Sequence, residues 1–270
     1  MTGTAPRGSA SLFDDLMTQR HATAQKPFTV ATHYASGMQG VAEVWAFGHM
    51  RRPFGVSLKE CSERCIQAMA TVSCRHQVPI FIDTGAYSEL GGRAITPAMW
   101  RTRLDRVHKL MAVISGCGGG PVMFVAPDKI RDQEATLERL ATYRSDLARI
   151  RSAGATVLVP LQRGALTISQ FHDQVDRVLQ GAVGDWVPAF PLVKKALSPS
   201  QISEYMGERR PSRIHLLGVG PYSRLLPELG RAIAQGRPDV IVTMDATYHL
   251  SSRMMKPMTE RRPQGIETVL

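Results

Sequence analysis

The stretch PVMFVAPDKIRDQEATLERLATYRSDLARIRSAGATVLVPLQ, residues 121–162, decides the fold. It contains two short apolar runs, 121–128 and 156–162, separated by a segment of helical period at 132–154. A strand, a helix and a strand in this order predict two parallel neighbours in one sheet. Because the apolar runs are continuous rather than alternating, we expect both faces of that sheet to be covered.

The same alternation extends along most of the chain in both directions. Eight candidate strands at this spacing predict an α/β protein with one (β/α)8 TIM-like barrel, and the weak strand pattern of 41–47 allows the barrel to be irregular. No G-x-G-x-x-G motif follows the first run, which argues against a Rossmann sheet. We expect an N-terminal arm over 1–25, the barrel over 26–252 and a basic tail over 253–270. The predicted strands are 27–33, 41–47, 79–85, 121–128, 156–162, 185–191, 213–220 and 239–245, and the predicted helices are 57–74, 97–115, 132–154, 167–180, 198–208 and 222–236.

The composition is that of a globular, basic protein. Apolar residues form 43% of the 270, and no apolar run approaches the ~20 residues that a membrane-spanning helix needs. The N-terminus lacks the apolar segment of a secretory signal, and four cysteines do not suggest a disulfide scaffold, so we expect a protein of the reducing cytoplasm. Lys and Arg number 33 against 23 acids, a net charge of +10. This charge favours a polyanionic partner, with a basic but otherwise ordinary enzyme as the alternative.

The ends of the predicted strands carry the candidate functional residues, because chemistry in such a barrel lies at the C-terminal ends of its strands. Three predicted strands end at an aspartate, Asp83, Asp128 and Asp245, and a fourth ends at Gln162. We expect these four side chains to converge at one mouth of the barrel. For any single aspartate the alternative is a solvated loop acid, which is the usual role of an aspartate after a strand.

Five short motifs at these strand ends resemble, in their order, those of the tRNA-guanine transglycosylase superfamily. The motifs are FIDTGAY (81–87), VAPD (125–128), VPLQRG (159–164), HLLGVG (215–220) and TMDATYH (243–249). The resemblance covers roughly residues 79–250 and is nearest to the short DNA-acting relatives that insert 7-deazaguanine bases. It implies a pentosyltransferase that exchanges guanine in a nucleic acid for a 7-deazaguanine base.

The resemblance also implies roles for individual residues. Asp245 would attack the sugar C1′ and hold the sugar covalently, and Asp83 would act in proton transfer and positioning. Asp128 and Gln162 would contact the edge of the base. The pair Ala189-Phe190 stands where the family has two glycines, which predicts a reshaped pocket. The other predicted base-binding residues are Gly85, Gly218, Gly220 and the aromatic pocket walls Tyr87, Phe190 and Tyr248, for which ordinary core packing is the alternative.

The chemistry that this implies needs carboxylates in different environments. Breaking an N-glycosidic bond makes the sugar carbon oxocarbenium-like, so one ionised carboxylate must trap it while another group manages the proton of the departing base. Exchange rather than hydrolysis also requires that water be kept from the covalent intermediate. Three aspartates at one barrel mouth can meet the first requirement, since mutual repulsion raises the pKa of at least one of them.

Metal and cofactor requirements are predicted to be absent. In the tRNA-acting enzymes a zinc module of cysteines and a histidine follows the nucleophile, whereas residues 246–270 here contain no cysteine. A weak candidate for a displaced zinc site is the set Cys61, Cys65, Cys74 and His76, and the commoner alternative is a helix that carries buried free thiols. Cys117, in a glycine-rich turn, is expected only to pack, with no covalent or ligand partner.

The predicted macromolecular partner is DNA, with the target nucleotide rotated out of the duplex. Arg163, Lys194, Lys195 and Arg224, each on a loop after a predicted strand, are the candidates for phosphate contacts, and a solvated face is the alternative for each. Whether helper proteins open the duplex is left open. Three other functions stay open: the same exchange on tRNA, a barrel enzyme for a small phosphorylated metabolite with Gly218–Gly220 as its phosphate loop, and a non-catalytic nucleic-acid-binding barrel.

Overall fold

Eight parallel strands, each hydrogen-bonded to the next, close into a barrel in the order β1 to β8, so the predicted (β/α)8 barrel is confirmed. The computed structural model describes residues 30–92, 94–192 and 196–247. The strands are β1 Val30–Met38, β2 Phe54–Ser57, β3 Ile80–Asp83, β4 Val122–Val125, β5 Thr156–Pro160, β6 Val187–Pro191, β7 Arg213–Leu217 and β8 Ile241–Thr247. The helices are α1 Val41–His49, α2 Glu63–His76, α3 Pro97–Cys117, α4 Gln133–Thr142, α5 Arg144–Ser152, α6 Ile168–Leu179, α7 Pro199–Arg209 and α8 Leu226–Gly236, with a 3₁₀ helix at Ala86–Gly91.

The second strand is where the sequence-based prediction was wrong. Residues 41–47 belong to α1, and the strand that follows is the four-residue β2. Val44, Phe47 and Gly48 are buried and lie three and four positions apart, which is a helical period rather than the period of a strand. The strand β2 was missed because FGVS is short and follows two arginines and a proline.

Helix boundaries elsewhere follow local capping chemistry. The hydroxyls of Thr167 and Ser198 accept hydrogen bonds from the backbone three residues ahead and begin α6 and α7 in capping boxes. The predicted single helix over 132–154 is two helices, α4 and α5, separated at Tyr143, whose backbone leaves the helical region. These helices surround the strands and cover them with an outer hydrophobic core.

The interior of the barrel is filled by side chains that alternate along each strand. A smaller core cluster lies inside the strands and comprises Tyr34, Phe81, Met123, Val125, Leu158, Val187 and Ala189. Polar groups share this interior, since His215 on β7 and Thr243 on β8 are buried there and hydrogen-bonded to each other. The barrel is therefore a packed core with a polar side near β7 and β8, and its upper layer forms the floor of the mouth.

A disulfide joins Cys74 at the end of α2 to Cys117 at the end of α3, with a Cα–Cα distance of 5.7 Å. The expectation that Cys117 packs without a partner was therefore wrong, because the ends of the two helices lie close enough for a bridge. Cys74 is no longer available as a metal ligand. Cys61 and Cys65 are buried free thiols, which agrees with the alternative to the weak zinc site.

The described helices include none with the length and apolar character required to cross a membrane. The predicted arm over 1–25 and the predicted tail over 253–270 lie outside the described residues.

Replacement of Gly48 by alanine tests the placement of α1 against α2. A Cβ at Gly48 would lie 2.3 Å from Cγ1 of Val72, a stiff β-branched side chain, so we expect Gly48→Ala to lower the free energy of unfolding by about 1–3 kcal/mol. The matched control is Gly207→Ala in α7, where a Cβ meets no atom within 4 Å. The control should raise stability by about 0.5–1 kcal/mol, because alanine favours the helix. Urea denaturation measures both, and equal effects would contradict the close packing of α1 on α2.

Candidate active site

A cavity of about 450 Å³ lies at the C-terminal mouth of the barrel. Four strands contribute polar residues to its lining: Ser36 of β1, Ser57 of β2, Asp83 of β3, and Asp245 and Thr247 of β8. Asp128, on the loop after β4, also lines the cavity, as do Lys59, Glu60, Tyr87 and Ser88. The predicted convergence of the three aspartates is therefore what the structure has. The apolar lining includes Phe81, Val125, Ile130, Pro191 and Leu217.

Asp245 is held by donors on both of its carboxylate oxygens. The hydroxyl of Ser36 donates to Oδ2 at 2.8 Å, and the backbone N–H of Gly218 donates to Oδ1 at 3.0 Å. Nε2 of His215 lies 3.3 Å from the same Oδ1. The residue is 7% exposed, so its carboxylate is almost withdrawn from solvent, and it lines the cavity. Its orientation is set by β1, through Ser36, and by β7 and the residue that follows it, through His215 and Gly218.

Asp83 sits in an environment that disfavours its charge. Burial raises its pKa to about 6, and the negative charge of Asp245 adds to this. Three groups lower the pKa of Asp83 and so offset part of this rise: the backbone N–H of Gly85, the guanidinium of Arg103 and the hydroxyl of Ser57. A carboxyl group with a pKa near 6 exchanges protons readily close to neutral pH.

Asp128 is shifted further. Burial raises its pKa to about 8, and the nearby charge of Asp83 contributes in the same direction. Its Oδ2 accepts a hydrogen bond of 2.8 Å from Nε2 of Gln162. A carboxyl group with this pKa is mostly protonated at neutral pH, so it can donate a hydrogen bond as well as accept one.

Gln162 lies beneath Asp128 rather than in the cavity, which differs from its predicted contact with the base. Its Oε1 accepts from the backbone N–H of Arg131 at 2.8 Å, and its Nε2 is used by Asp128. The side chain is fully buried and both ends of its amide are occupied. Gln162 therefore orients Asp128 and the loop after β4.

Two arginines on helices hold the loops that carry these acids. Arg103 of α3 is buried and donates a 2.6 Å hydrogen bond to the carbonyl oxygen of Thr84. Arg139 of α4 makes a two-pronged ion pair with Glu89, at 2.7 and 2.8 Å, and also donates to the carbonyl oxygen of Asp128. The paired, planar contacts tie the 3₁₀ segment after β3 to the loop after β4.

Glycine is required at two positions of the lining. Gly85 has a φ of +80°, and a Cβ there would lie 2.9 Å from both Cβ of Lys59 and Oγ of Ser57. Gly218 has a φ of +75°, which turns its N–H toward Asp245. Both conformations are unfavourable for a residue with a side chain. The sequence predicted these two glycines as base-binding residues, and both line the cavity.

Of the other predicted pocket residues that the structure describes, some line the cavity and others do not. Tyr87 lines the cavity and is 48% exposed. Phe190 does not line it, because its side chain points outward and packs edge-on against Tyr205 at 5.4 Å. Ala189 faces the barrel interior below the cavity, and Gly220 packs against Ala246 of β8. Tyr248 lies outside the described residues.

The predicted phosphate contacts lie around the mouth where the structure describes them. Arg163, after β5, and Arg224, after β7, are exposed and stand outside the cavity lining. Lys194 and Lys195 lie outside the described residues. Within the described ranges no group of three or more histidine, cysteine, aspartate or glutamate side chains could hold a metal ion, and His76 is part of no such group.

The residues of the site that were not predicted include Ser36, Ser57, His215 and Arg103. Ser36 was missed because β1 was predicted to end at residue 33, whereas it continues to Met38. Ser57 was missed together with β2. A strand-end rule applied to the correct boundaries finds both serines. His215 belongs to the motif HLLGVG, but it lies inside a strand, and Arg103 lies inside a helix, so the rule finds neither.

No protein-family model and no curated protein matches this chain. Solved structures match its shape. A xylose isomerase domain protein from Planctomyces limnophilus is 14% identical, with 87% of this chain and 97% of that chain covered and a TM-score of 0.52. An L-ribulose 3-epimerase is 11% identical, with 89% of each chain covered and a TM-score of 0.46. The D-psicose 3-epimerase of Clostridium cellulolyticum H10 is 12% identical, with 81% and 82% covered and a TM-score of 0.44. At these identities the similarity shows the barrel fold alone.

The raised pKa of Asp128 predicts a pH-dependent stability. The folded protein binds a proton at Asp128 up to about pH 8, whereas the unfolded chain loses it near the ordinary pKa of 3.8. The folded state therefore holds more protons between these limits, so its stability falls as the pH rises through them. Between about pH 6 and 8, the free energy of unfolding should fall more steeply in the wild type than in Asp128→Asn, by up to ~1.4 kcal/mol per pH unit, the value for one proton.

Urea denaturation across that pH range measures the difference. Asp239→Asn is the control, because Asp239 is exposed, its pKa is lowered by Arg237, and it stays ionised throughout the range. Parallel curves for the wild type and Asp128→Asn would mean that Asp128 is already ionised in the folded protein.

Proposed function

We propose that this protein is a base-exchange transglycosylase that replaces guanine in DNA with a 7-deazaguanine derivative through a covalent bond between Asp245 and the sugar. The observation that carries the proposal is the meeting of Asp83, Asp128 and Asp245, from separate strands, around one cavity. Their environments differ, since Asp245 has three donors and the pKa values of the other two are raised. Carboxyl groups in different environments are what the removal and replacement of a base on one sugar carbon require.

Asp245 is the proposed nucleophile. It is almost buried, its orientation is fixed from two sides, and it reaches the cavity at the end of β8. A pre-oriented carboxylate reduces the cost of bringing the oxygen to C1′ of the nucleotide. The resemblance of TMDATYH to the nucleophile segment of the transglycosylases supports the same assignment.

Asp83 and Asp128 are proposed to serve the base. Asp83, with its pKa near 6, would pass a proton to the departing guanine and accept one from the incoming base. Asp128, protonated at neutral pH, would both donate to and accept from the polar edge of the base. An ionised carboxylate at this position could only accept hydrogen bonds and could not donate one. The raised pKa of Asp128 would therefore contribute to recognition of the base.

The walls of the cavity support exchange in preference to hydrolysis. Phe81, Val125, Pro191 and Leu217 form an apolar surface around the three acids. An apolar wall against a bound base leaves little room for water beside the sugar carbon, which protects a covalent intermediate until the second base arrives.

DNA is the proposed polymer because of the charge of the chain and the rim of the mouth. The net charge is +10, and Arg163 and Arg224 are exposed on loops after β5 and β7, where no described residue forms an ion pair with either. Arginines on loops at the C-terminal ends of strands suit contacts with the phosphates of a nucleotide that is rotated into the cavity.

A second candidate is a barrel enzyme that acts on a small sugar metabolite. The cavity volume of about 450 Å³ suits a small molecule, and one structure of similar shape is named a xylose isomerase domain protein. The version of this hypothesis in which Gly218–Gly220 binds phosphate has a difficulty, since the Gly218 N–H already donates to Asp245.

Exchange of labelled base into nucleic acid tests the proposal. Wild-type protein is incubated with guanosine-containing DNA and a labelled 7-deazaguanine, in parallel with tRNA, and a denaturing gel detects a covalent protein–DNA adduct. We expect incorporation into DNA and an adduct for the wild type. Asp245→Asn should form no adduct and should lose activity by about 10³-fold or more, because the nucleophile is gone.

The matched control is Asp105→Asn, which alters an exposed aspartate on α3 outside the cavity and should leave both signals unchanged. Incorporation into tRNA but not into DNA would support the proposed base exchange and would identify tRNA, rather than DNA, as the substrate. Absence of incorporation into either nucleic acid, together with turnover of a free sugar, would favour the second candidate.

A further inference from the structure

The two carboxylate oxygens of Asp245 have different surroundings. Oδ2 accepts from Ser36, whose side chain lines the cavity. Oδ1 accepts from the Gly218 N–H and lies 3.3 Å from Nε2 of His215, a residue that is completely buried in the barrel. Oδ2 therefore has one hydrogen-bond donor, whereas Oδ1 has the Gly218 N–H and also lies against the ring nitrogen of the buried His215.

His215 is itself fixed on several sides. Its Nδ1 lies 2.8 Å from the hydroxyl of Thr243, and its ring stacks on Phe81 with a centroid distance of 5.1 Å and an angle of 9°. We assign the hydrogen on Nε2 from this network, because a carboxylate oxygen can only accept, while the Thr243 hydroxyl can donate to Nδ1. The ring thus holds one N–H aimed at Oδ1.

We infer that Oδ2 of Asp245 forms the bond to the sugar, and that His215 is a positioning residue that stabilises Oδ1 when this bond breaks again. The inference rests on the proposed function, since it concerns the covalent intermediate of that reaction. The N–H groups of Gly218 and His215 are two fixed donors that stabilise the negative charge that develops on Oδ1 as the bond breaks.

Atoms and electrons balance over two steps. In the first, a lone pair of Oδ2 forms the bond to C1′, the bond from C1′ to N9 of guanine breaks, and the departing base takes up a proton. In the second, N9 of the incoming 7-deazaguanine base bonds to C1′ and loses its proton. The bond between C1′ and Oδ2 breaks in the same step, and its electron pair returns to the carboxylate.

The donors on Oδ1 act differently on these two steps. The carboxylate is charged before the first step and after the second, and it is a neutral ester between them. Hydrogen bonds from N–H groups stabilise the charged form more than the ester. They therefore favour departure of the carboxylate from the sugar, and loss of the His215 donor should prolong the life of the adduct.

Decay of the adduct under a chase measures this effect. The adduct is formed on labelled guanosine-containing DNA, an excess of 7-deazaguanine is added, and the remaining adduct is followed on a denaturing gel. We expect decay in His215→Leu to be about 10- to 100-fold slower than in the wild type. His215→Gln, whose amide can still donate to Asp245, should restore decay to within a few-fold of the wild type.

The matched control is His108→Leu, which removes a histidine–aspartate contact of 2.8 Å between α3 and α5, away from the cavity. If His215→Leu acted only by lowering the stability of the fold, His108→Leu should change the adduct lifetime in the same way. If His215 acts on Oδ1, only His215→Leu should lengthen the lifetime. If thermal melting shows that His215→Leu does not fold, Thr243→Val replaces it, because this variant removes the partner of Nδ1 and should slow decay in the same direction.

Adduct decay at the wild-type rate, or faster, in the variants that lack the donor would overturn the role of His215. In that case the wild-type adduct would still stand as evidence for the transglycosylase. Absence of an adduct in the wild type on both DNA and tRNA would remove the proposed function and the inference together.

Discussion

The pairing of β1 with β8 is the constraint on which the site depends. This contact closes the barrel, and its register places Tyr34 opposite Asp245 and Ser36 opposite Thr247. The hydroxyl of Ser36 can reach the carboxylate of Asp245 only because the first and last strands are neighbours. A shift of one residue would turn Asp245 to the outer face of the barrel and Ala246 to the cavity, since side chains alternate along a strand. Closure of the barrel and the position of Asp245 are thus one structural fact.

Three carboxyl groups in one partly dry cavity are unfavourable for stability, and the structure offsets this in three ways. Asp245 keeps hydrogen-bond donors on both oxygens, and Asp83 lies near Arg103 and the Gly85 N–H. Asp128 instead takes up a proton, as its pKa of about 8 implies, and Gln162 bonds to it. Each arrangement lowers the stability of the fold in some way. Asp245 requires buried donors, Asp83 requires a buried arginine, and Asp128 makes the stability depend on pH. Such a concentration of costs in one place is typical of a functional site.

Sequence patterns were enough for the architecture and for the acids, but not for their supports. The alternation of apolar runs and helical segments predicts the barrel, and the aspartates follow because strand ends converge at one face. The prediction of 41–47 as a strand failed because an apolar run of that length fits either period, and burial of Val44, Phe47 and Gly48 decides for the helix. His215 and Arg103 could not be predicted, because their roles arise from neighbours far away in the sequence: β8 for the first, and the loop after β3 for the second.

The residues that line the cavity near the end of β6 differ from those that the resemblance suggested. The pair Ala189-Phe190 replaces two glycines of the transglycosylase pattern, and a phenylalanine there was expected to reshape the pocket. In the structure Phe190 points away from the barrel axis toward Tyr205, and Ala189 lies below the cavity floor. The next inward residue, Pro191, is the one that lines the cavity. Because alternate residues of a strand face opposite sides, a bulky residue can enter this motif without entering the pocket. If the proposed function holds, the base that fits should depend on Pro191, Val125 and Leu217, together with the proton on Asp128.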